Sequence, residues 1–196
     1  MARPRKFDES DVLTAVRDEF WSRGYAATSV EDLTAATGLG KGSLYGAFGD
    51  KHDLFLRALD NYCTTALEGV LADLRAPGRS AYDRLTRHIR RQAASVAADK
   101  ARRGCMISKS AAELAADDDE VAQTVERTLD ARRSEVVDCI KAAQREGSID
   151  PKQNPLALAT TLLAFQRGLE ALSKAGTKPA HIKAAAEEII AMIPAG

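Results

Sequence analysis

The sequence predicts an all-α protein, and three observations carry that expectation. Alanine recurs in pairs and runs, among them Ala35-Ala36, Ala93-Ala94, Ala142-Ala143 and Ala184-Ala185-Ala186, while aromatics make up only 5% of the chain; alanine is the strongest helix former and a poor strand former. Apolar residues return at i, i+3 and i+4 through segment after segment, and no alternating strand pattern persists. Glycine and proline punctuate those segments at helical lengths. With 196 residues, 45% of them hydrophobic, the chain can bury a sizeable core.

The elements follow in order. Val12, Ala15, Val16, Phe20 and Trp21 share one face of a first helix over about Asp8 to Arg23, stopped by Gly24. Thr28 with Glu31 three residues on reads as a capping box for a short second helix that carries Val30, Leu33 and Ala36 inward and ends near Thr37. Gly38 supplies a left-handed turn, Leu39 an apolar plug, and Lys41 to Phe48 has room for barely two helical turns. From Asp50 on, Leu54, Phe55, Ala58, Leu59, Tyr62, Ala66, Val70 and Leu74 keep one face apolar until Pro77-Gly78, which predicts a long connecting helix. Further helices are expected at about 80–100, 104–116, 119–146, 153–175 and 178–193. Their breaks are Arg103-Gly104, Asp117-Asp118, Gly147 with Pro151, and Gly176 with Pro179. The chain divides at the start of the long helix, into residues 1–50 and 51–196, with no internal repeat or low-complexity linker.

Lys+Arg and Asp+Glu both number 28, so no long-range field draws a polyanion to the whole surface and any nucleic-acid site must be local. The longest uncharged stretch, Gln153 to Gln166, holds Asn154, Pro155 and two threonines, too short and too polar to span a bilayer. Asp8 and Glu9 stand where a signal peptide would need its apolar region, which places the chain in the cytoplasm. Cys63, Cys105 and Cys139 are odd in number and widely spaced, which suggests neither a disulfide framework nor a zinc site. No metal and no cofactor are expected.

Thr28 to Phe48 has the layout of a helix-turn-helix, whose first helix braces the second so that its N-terminal end enters the major groove. At that end Lys41 supplies charge, Gly42 allows close approach, Ser43 can donate or accept, and Tyr45 projects a hydroxyl, with Leu44 turned inward. Lys51, beside His52, opens the next helix, where backbone N–H groups also favour a phosphate. The Arg3-Pro4-Arg5-Lys6 arm would add phosphate contacts. Residues 1–52 carry seven Lys/Arg against eight Asp/Glu, so such a face is basic through arrangement. A plain helical hairpin inside a larger bundle, with Lys41 and Lys51 merely solvated, is the alternative.

The strings TSVEDL from Thr28 and TGLGKGSLYGAFGDKHDLF from Thr37 resemble the DNA-binding domain of TetR-type transcriptional repressors, a close match over about the first 60 residues. The resemblance implies three N-terminal helices, a long fourth helix, and a larger helical domain that binds an inducer and dimerises. It implies a ligand-released repressor of double-stranded operator DNA. By it, Lys41, Ser43 and Tyr45 fall at operator-contacting positions, and Thr28 and Lys51 at backbone-contacting ones. The GSIDP stretch from Gly147, followed by a long apolar helix, is a familiar connection of that family.

Cys105 follows Gly104 at a predicted helix start, with Lys100, Arg102 and Arg103 before it and Lys109 one turn later, a setting that favours thiolate. Some TetR-type repressors that resemble this chain around Gly104-Cys105 respond to oxidants or electrophiles through such a thiol, so the resemblance implies redox or electrophile sensing. A buried cysteine in a helix-packing contact is the competing reading, and it is the one taken for Cys63 and Cys139. An ordinary pocket ligand is the other sensor, with Tyr62, His88, Gln92, Phe165 and Gln166 as candidate lining, each also at home in core or rim. The acidic run Asp117 to Glu120 reads as a helix cap rather than a metal site.

Two other classes remain open at this point: a small thiol enzyme with Cys105 as nucleophile and His88 as base, and a helical adaptor that binds no DNA. A homodimer is expected through apolar stripes on the last two helices, Leu156, Ala159, Leu162, Leu163 and Leu169 with Ile182, Ala186, Ile189 and Ile193. Its two-fold axis would give a roughly palindromic operator.

Overall fold

A computed structural model of the chain describes residues 7–196, so the Arg3-Pro4-Arg5-Lys6 arm lies outside the described residues. Among those described, all regular structure is helical: α1 (Glu9–Arg23), α2 (Val30–Thr37), α3 (Lys41–Phe48), α4 (Lys51–Leu74), α5 (Ala81–Ala98), α6 (Met106–Leu114), α7 (Asp119–Arg145), α8 (Pro155–Lys174) and α9 (Pro179–Ala191). No described helix is long and apolar enough to cross a membrane. The residues form two compact units. One runs up to Thr65 and takes in Met106–Val125, and the other comprises Ala66–Cys105 and Glu126–Gly196.

The first unit is built on aromatic packing. Val12, Val16 and Phe20 are buried at helical spacing on α1, and the Phe20 ring meets Phe55 edge-on at 5.1 Å and Tyr25 at 6.1 Å. Leu33 and Leu44 are fully buried and fix the α2–α3 pair, each burial stabilising by about 1.5–3 kcal/mol. Between those helices Gly38 takes φ +67° and returns its N–H to the Thr34 carbonyl at 2.9 Å, the left-handed cap that a side chain would strain. The α2 cap lies one residue beyond the expected one. Ser29 caps, with Asp32 closing the box, while Thr28 is wholly buried and donates its hydroxyl to the Gly24 carbonyl at 2.6 Å.

In the second unit α5 packs against both α8 and α9. Its core joins Leu85, Ile89 and Ala93 of α5 to Val136 and Ile140 of α7, Leu162 and Leu169 of α8, and Ile182 and Ile190 of α9. This corrects the stripes expected to dimerise: Ala159, Leu162, Leu169, Ile182, Ala186 and Ile193 are buried in the unit's own core, Leu163 and Ile189 are half-buried, and Leu156 alone of that set is exposed. Periodicity shows that a face is apolar but not what covers it. The outer face of α8 instead exposes Ala157, Thr161, Ala164, Gly168 and Leu172.

Candidate functional site

The α2–turn–α3 hairpin carries the first candidate. Leu44 and Phe48 turn inward, leaving Lys41, Gly42, Ser43 and Gly46 exposed and Tyr45 half-buried on the opposite side. The Lys41 ammonium lies 5.9 Å from the centroid of the Tyr45 ring one turn on. Burial, then the Asp50 and Glu31 carboxylates, push the Tyr45 phenol up, so it keeps a proton to donate. Gly40 precedes α3 without any side-chain cap, so the first amides of this helix point outward at the positive end of its dipole. Sequence reasoning missed this feature, although glycine at the cap position was its signal.

Lys51 differs from the expectation in a useful way. Its ammonium sits 4.5 Å from the centroid of the Tyr25 ring, which orients the charge. The amides behind it are occupied, because the Asp50 carboxylate accepts the His52 and Asp53 N–H groups at 2.7 and 3.0 Å and the Asp53 carboxylate accepts the Asp50 N–H at 2.9 Å. A phosphate near Lys51 would therefore meet the side chain and not a free helix end. Thr28, placed with the backbone contacts, has its hydroxyl committed inside the unit.

The same unit holds α6 against these helices. The Lys109 ammonium donates to the Trp21 and Ser22 carbonyls at the end of α1, and Glu113 accepts the Tyr25 and Ala26 amides. His52 Nε2 lies 2.6 Å from Asp118. That hydrogen bond raises the imidazole above its ordinary value and outweighs its desolvation. Asp118 also caps α7 through the Glu120 and Val121 amides, both at 3.1 Å, as the acidic run led one to expect.

The second candidate lies in the other unit. A partly open pocket there has a cavity volume of about 30 Å³, room for a water or two. Leu85, Ile89, Val136, Leu162, Leu163 and Leu169 form its apolar walls, and His88, Gln92, Phe165 and Gln166 complete the lining. Four of the five expected pocket residues are thus brought together. Tyr62 is not one of them: it lies in the first unit, its ring edge-on to Trp21 at 5.0 Å, because its stretch of α4 faces a different core.

Cys105 is buried just ahead of α6. Of the cations expected around it, Lys109 binds the end of α1 and Arg103 reaches Asp99 at 4.0 Å. Arg167, 62 residues away on α8, donates to Sγ and pairs with Glu170 at 3.0 Å. Burial pushes the Glu170 carboxyl up against the pull of Arg167, Arg132 and a hydrogen bond from Cys105. Buried Arg132 adds a second cation, 3.3 Å from the Gln166 amide. The imidazole of the enzyme reading is not at the thiol, since His88 binds Asp73 at 3.0 Å through Nδ1. Among the described residues no group of three or more His, Cys, Asp or Glu side chains is placed to hold a metal.

Comparison with known proteins agrees with both units. Residues 12–58 match the family described as bacterial regulatory proteins, tetR family, and residues 81–189 match the tetracyclin repressor-like C-terminal domain. The chain is 34% identical over 128 residues to the HTH-type transcriptional regulator YezE of Bacillus subtilis (strain 168), a stretch covering 65% of each chain. It is 26% identical over 174 residues to the HTH-type transcriptional repressor ComR of Escherichia coli (strain K12), covering 89% of this chain and 83% of that one. Among solved structures, a cysteine mutant of the TetR family regulator CifR complexed with 26-bp double-strand operator DNA matches with TM-score 0.80 at 26% identity, over 98% of this chain and 100% of the other. E. coli NemR in its reduced form shares the fold, with TM-score 0.85 at 16% identity over 95% and 97%. With a helix-turn-helix matched at one end and the repressor-type helical domain over 81–189, the chain belongs to the TetR family of bacterial transcriptional regulators.

Proposed function

We propose that the chain is a homodimeric repressor that lays α3 in the major groove of a roughly palindromic operator and is released when its C-terminal part receives a chemical signal. In this reading residues 1–50 bind DNA and 51–196 bind effector and dimerise. The observation that carries it is the uncapped N-terminus of α3 with Lys41, Gly42 and Ser43 exposed beside it and the Tyr45 hydroxyl one turn on. Backbone amides and Lys41 hold phosphate while Ser43 and Tyr45 reach base edges or sugar, and Lys51 adds a phosphate contact. That CifR is found in complex with 26-bp double-strand operator DNA supports DNA binding in this reading. The dimer forms across the exposed small-residue face of α8, where Ala157, Ala164 and Gly168 let two helices approach closely.

Cys105 is the sensor in this account, with Arg167 its positioning residue. The guanidinium on Sγ stabilises negative charge there as the sulfur attacks a hydroperoxide. With hydrogen peroxide as the oxidant, the S–O bond forms and the O–O bond breaks, and the leaving hydroxide takes the proton given up by the thiol and departs as water; the thiol is oxidised to sulfenic acid and the peroxide reduced. The added oxygen enters a packed site that answers by discrete rearrangement. A mobility shift on operator DNA, with and without peroxide or a quinone, tests this. Wild type is released and Cys105→Ser is not; equal release of both proteins contradicts the sensor.

A further inference from the structure

A cysteine attacks as its thiolate, and the Cys105 thiol is buried, so its proton needs an acceptor within the protein. Arg167 donates through Nη1 to Sγ and through Nη2 to Glu170 Oε1, the latter at 3.0 Å, so one guanidinium spans the thiol and the carboxyl. The thiol in turn hydrogen-bonds the Glu170 carboxyl. The Oε2 atom of that carboxyl is shielded from solvent and accepts no hydrogen bond among the described residues. A buried carboxylate oxygen without a donor is costly, and a proton placed on it removes both the charge and the cost. Burial accordingly pushes Glu170 up from the ordinary carboxyl range, against the pull of Arg167 and Arg132.

We infer that Glu170 is the proton carrier of the Cys105 reaction, its carboxylate taking the thiol proton as Sγ attacks hydrogen peroxide and handing it to the hydroxide that leaves. The inference rests on reading Cys105 as the sensor and names the residue that completes its chemistry. The proton passes from Sγ to Oε2, and a sulfur electron pair forms the S–O bond as the O–O bond breaks. The hydroxide then takes the proton from Oε2 and departs as water, which leaves a sulfenic acid and restores the carboxylate. The thiol is oxidised and the peroxide reduced, with no other reactant. Neither arginine can carry the proton, because a guanidinium does not release one in a protein. Cys139 supplies the contrast: it is also buried, but its thiol donates to the Ala81 carbonyl at 3.3 Å, a group that accepts a hydrogen bond and does not hold a proton.

The test compares two reagents on the full chain, hydrogen peroxide and iodoacetamide, with loss of the Cys105 thiol followed by peptide mapping. Both consume thiolate, but iodide leaves without a proton. Glu170→Gln keeps the side-chain volume and still accepts from Arg167, yet cannot carry a proton. It should slow the peroxide reaction about a hundredfold more than alkylation. Equal slowing of the two reactions, or slowing of neither, overturns the carrier. In case the variant fails to fold, the wild-type pH profile gives a second readout. The charges that act on Glu170 are Arg167 of α8 and Arg132 of α7, and both stay charged, so carboxyl and thiol titrate as a pair. The peroxide rate should rise with pH and then fall as the pair loses its last proton, while alkylation rises to a plateau. A peroxide profile that reaches the same plateau overturns the carrier. Wild type whose Cys105 resists peroxide altogether overturns the sensor reading as well, whereas normal oxidation with an equally fast Glu170→Gln overturns the carrier alone.

Discussion

The Glu113 carboxylate accepts the Ala26 amide at 2.7 Å, 87 residues away in sequence, and the Tyr25 amide at 3.1 Å. One side chain of α6 thus closes the turn between α1 and α2, which Gly24 makes possible. Gly24 has φ +93°, and a Cβ there would stand 2.8 Å from Glu113 Oε2. Gly24→Ala should therefore cost about 1–3 kcal/mol through backbone strain, and Glu113→Ala less, about 0.5–1.5 kcal/mol, because the two amides it releases are exposed and are taken up by water. Because both act on one contact, the double variant should lose less than the sum. Urea unfolding followed by the fluorescence of Trp21 measures all three, and strict additivity would contradict the shared contact.

The His52–Asp118 pair makes part of the stability of this unit depend on pH. Asp118 raises His52 above its ordinary value of 6.5, so its contribution is complete below pH 6.5 and is lost as pH rises through the folded-state value. Asp118 itself is held below 3.8, and its share is present above that pH and lost as pH falls through the lowered value. His52→Gln should flatten the alkaline limb of the stability profile. Parallel wild-type and variant profiles above pH 6.5 would exclude the pair as its source.

Dimerisation through the outer face of α8 predicts that Ala164→Glu splits the dimer, since two carboxylates would meet near the symmetry axis, while the buried core of the unit is untouched. Light scattering at micromolar concentration should give a dimer for wild type and a monomer of unchanged helicity for the variant. A dimeric Ala164→Glu would move the interface elsewhere.

Much of this was legible in the sequence, for local reasons. Gly40 and Gly49 bracket α3, and Lys41–Phe48 is the range that spacing predicts. The cap of α2 slipped by one residue because Thr28/Glu31 and Ser29/Asp32 have the same capping spacing, and only burial of Thr28 separates them. Contacts between distant segments left no local signal. Arg167 reaches Cys105 from α8 and Asp73 fixes His88 from α4, and neither pairing shows in the spacing of either residue. Tyr62 shares its apolar face with Val70, yet lies in a different unit.

If α3 is the reading element, the chain must select a particular DNA sequence. Selection of double-stranded DNA from a random pool, followed by anisotropy titration of the enriched site over a range of salt, tests it. Wild type should enrich a two-fold symmetric sequence with half-sites about a helical turn or more apart. Lys41→Ala and Tyr45→Phe should bind that sequence more weakly with unchanged Tm, and Lys41→Ala should lower the salt slope by about two for the dimer. A folded, dimeric wild type that enriches no sequence, or variants that bind the enriched site as tightly as wild type, would contradict the account.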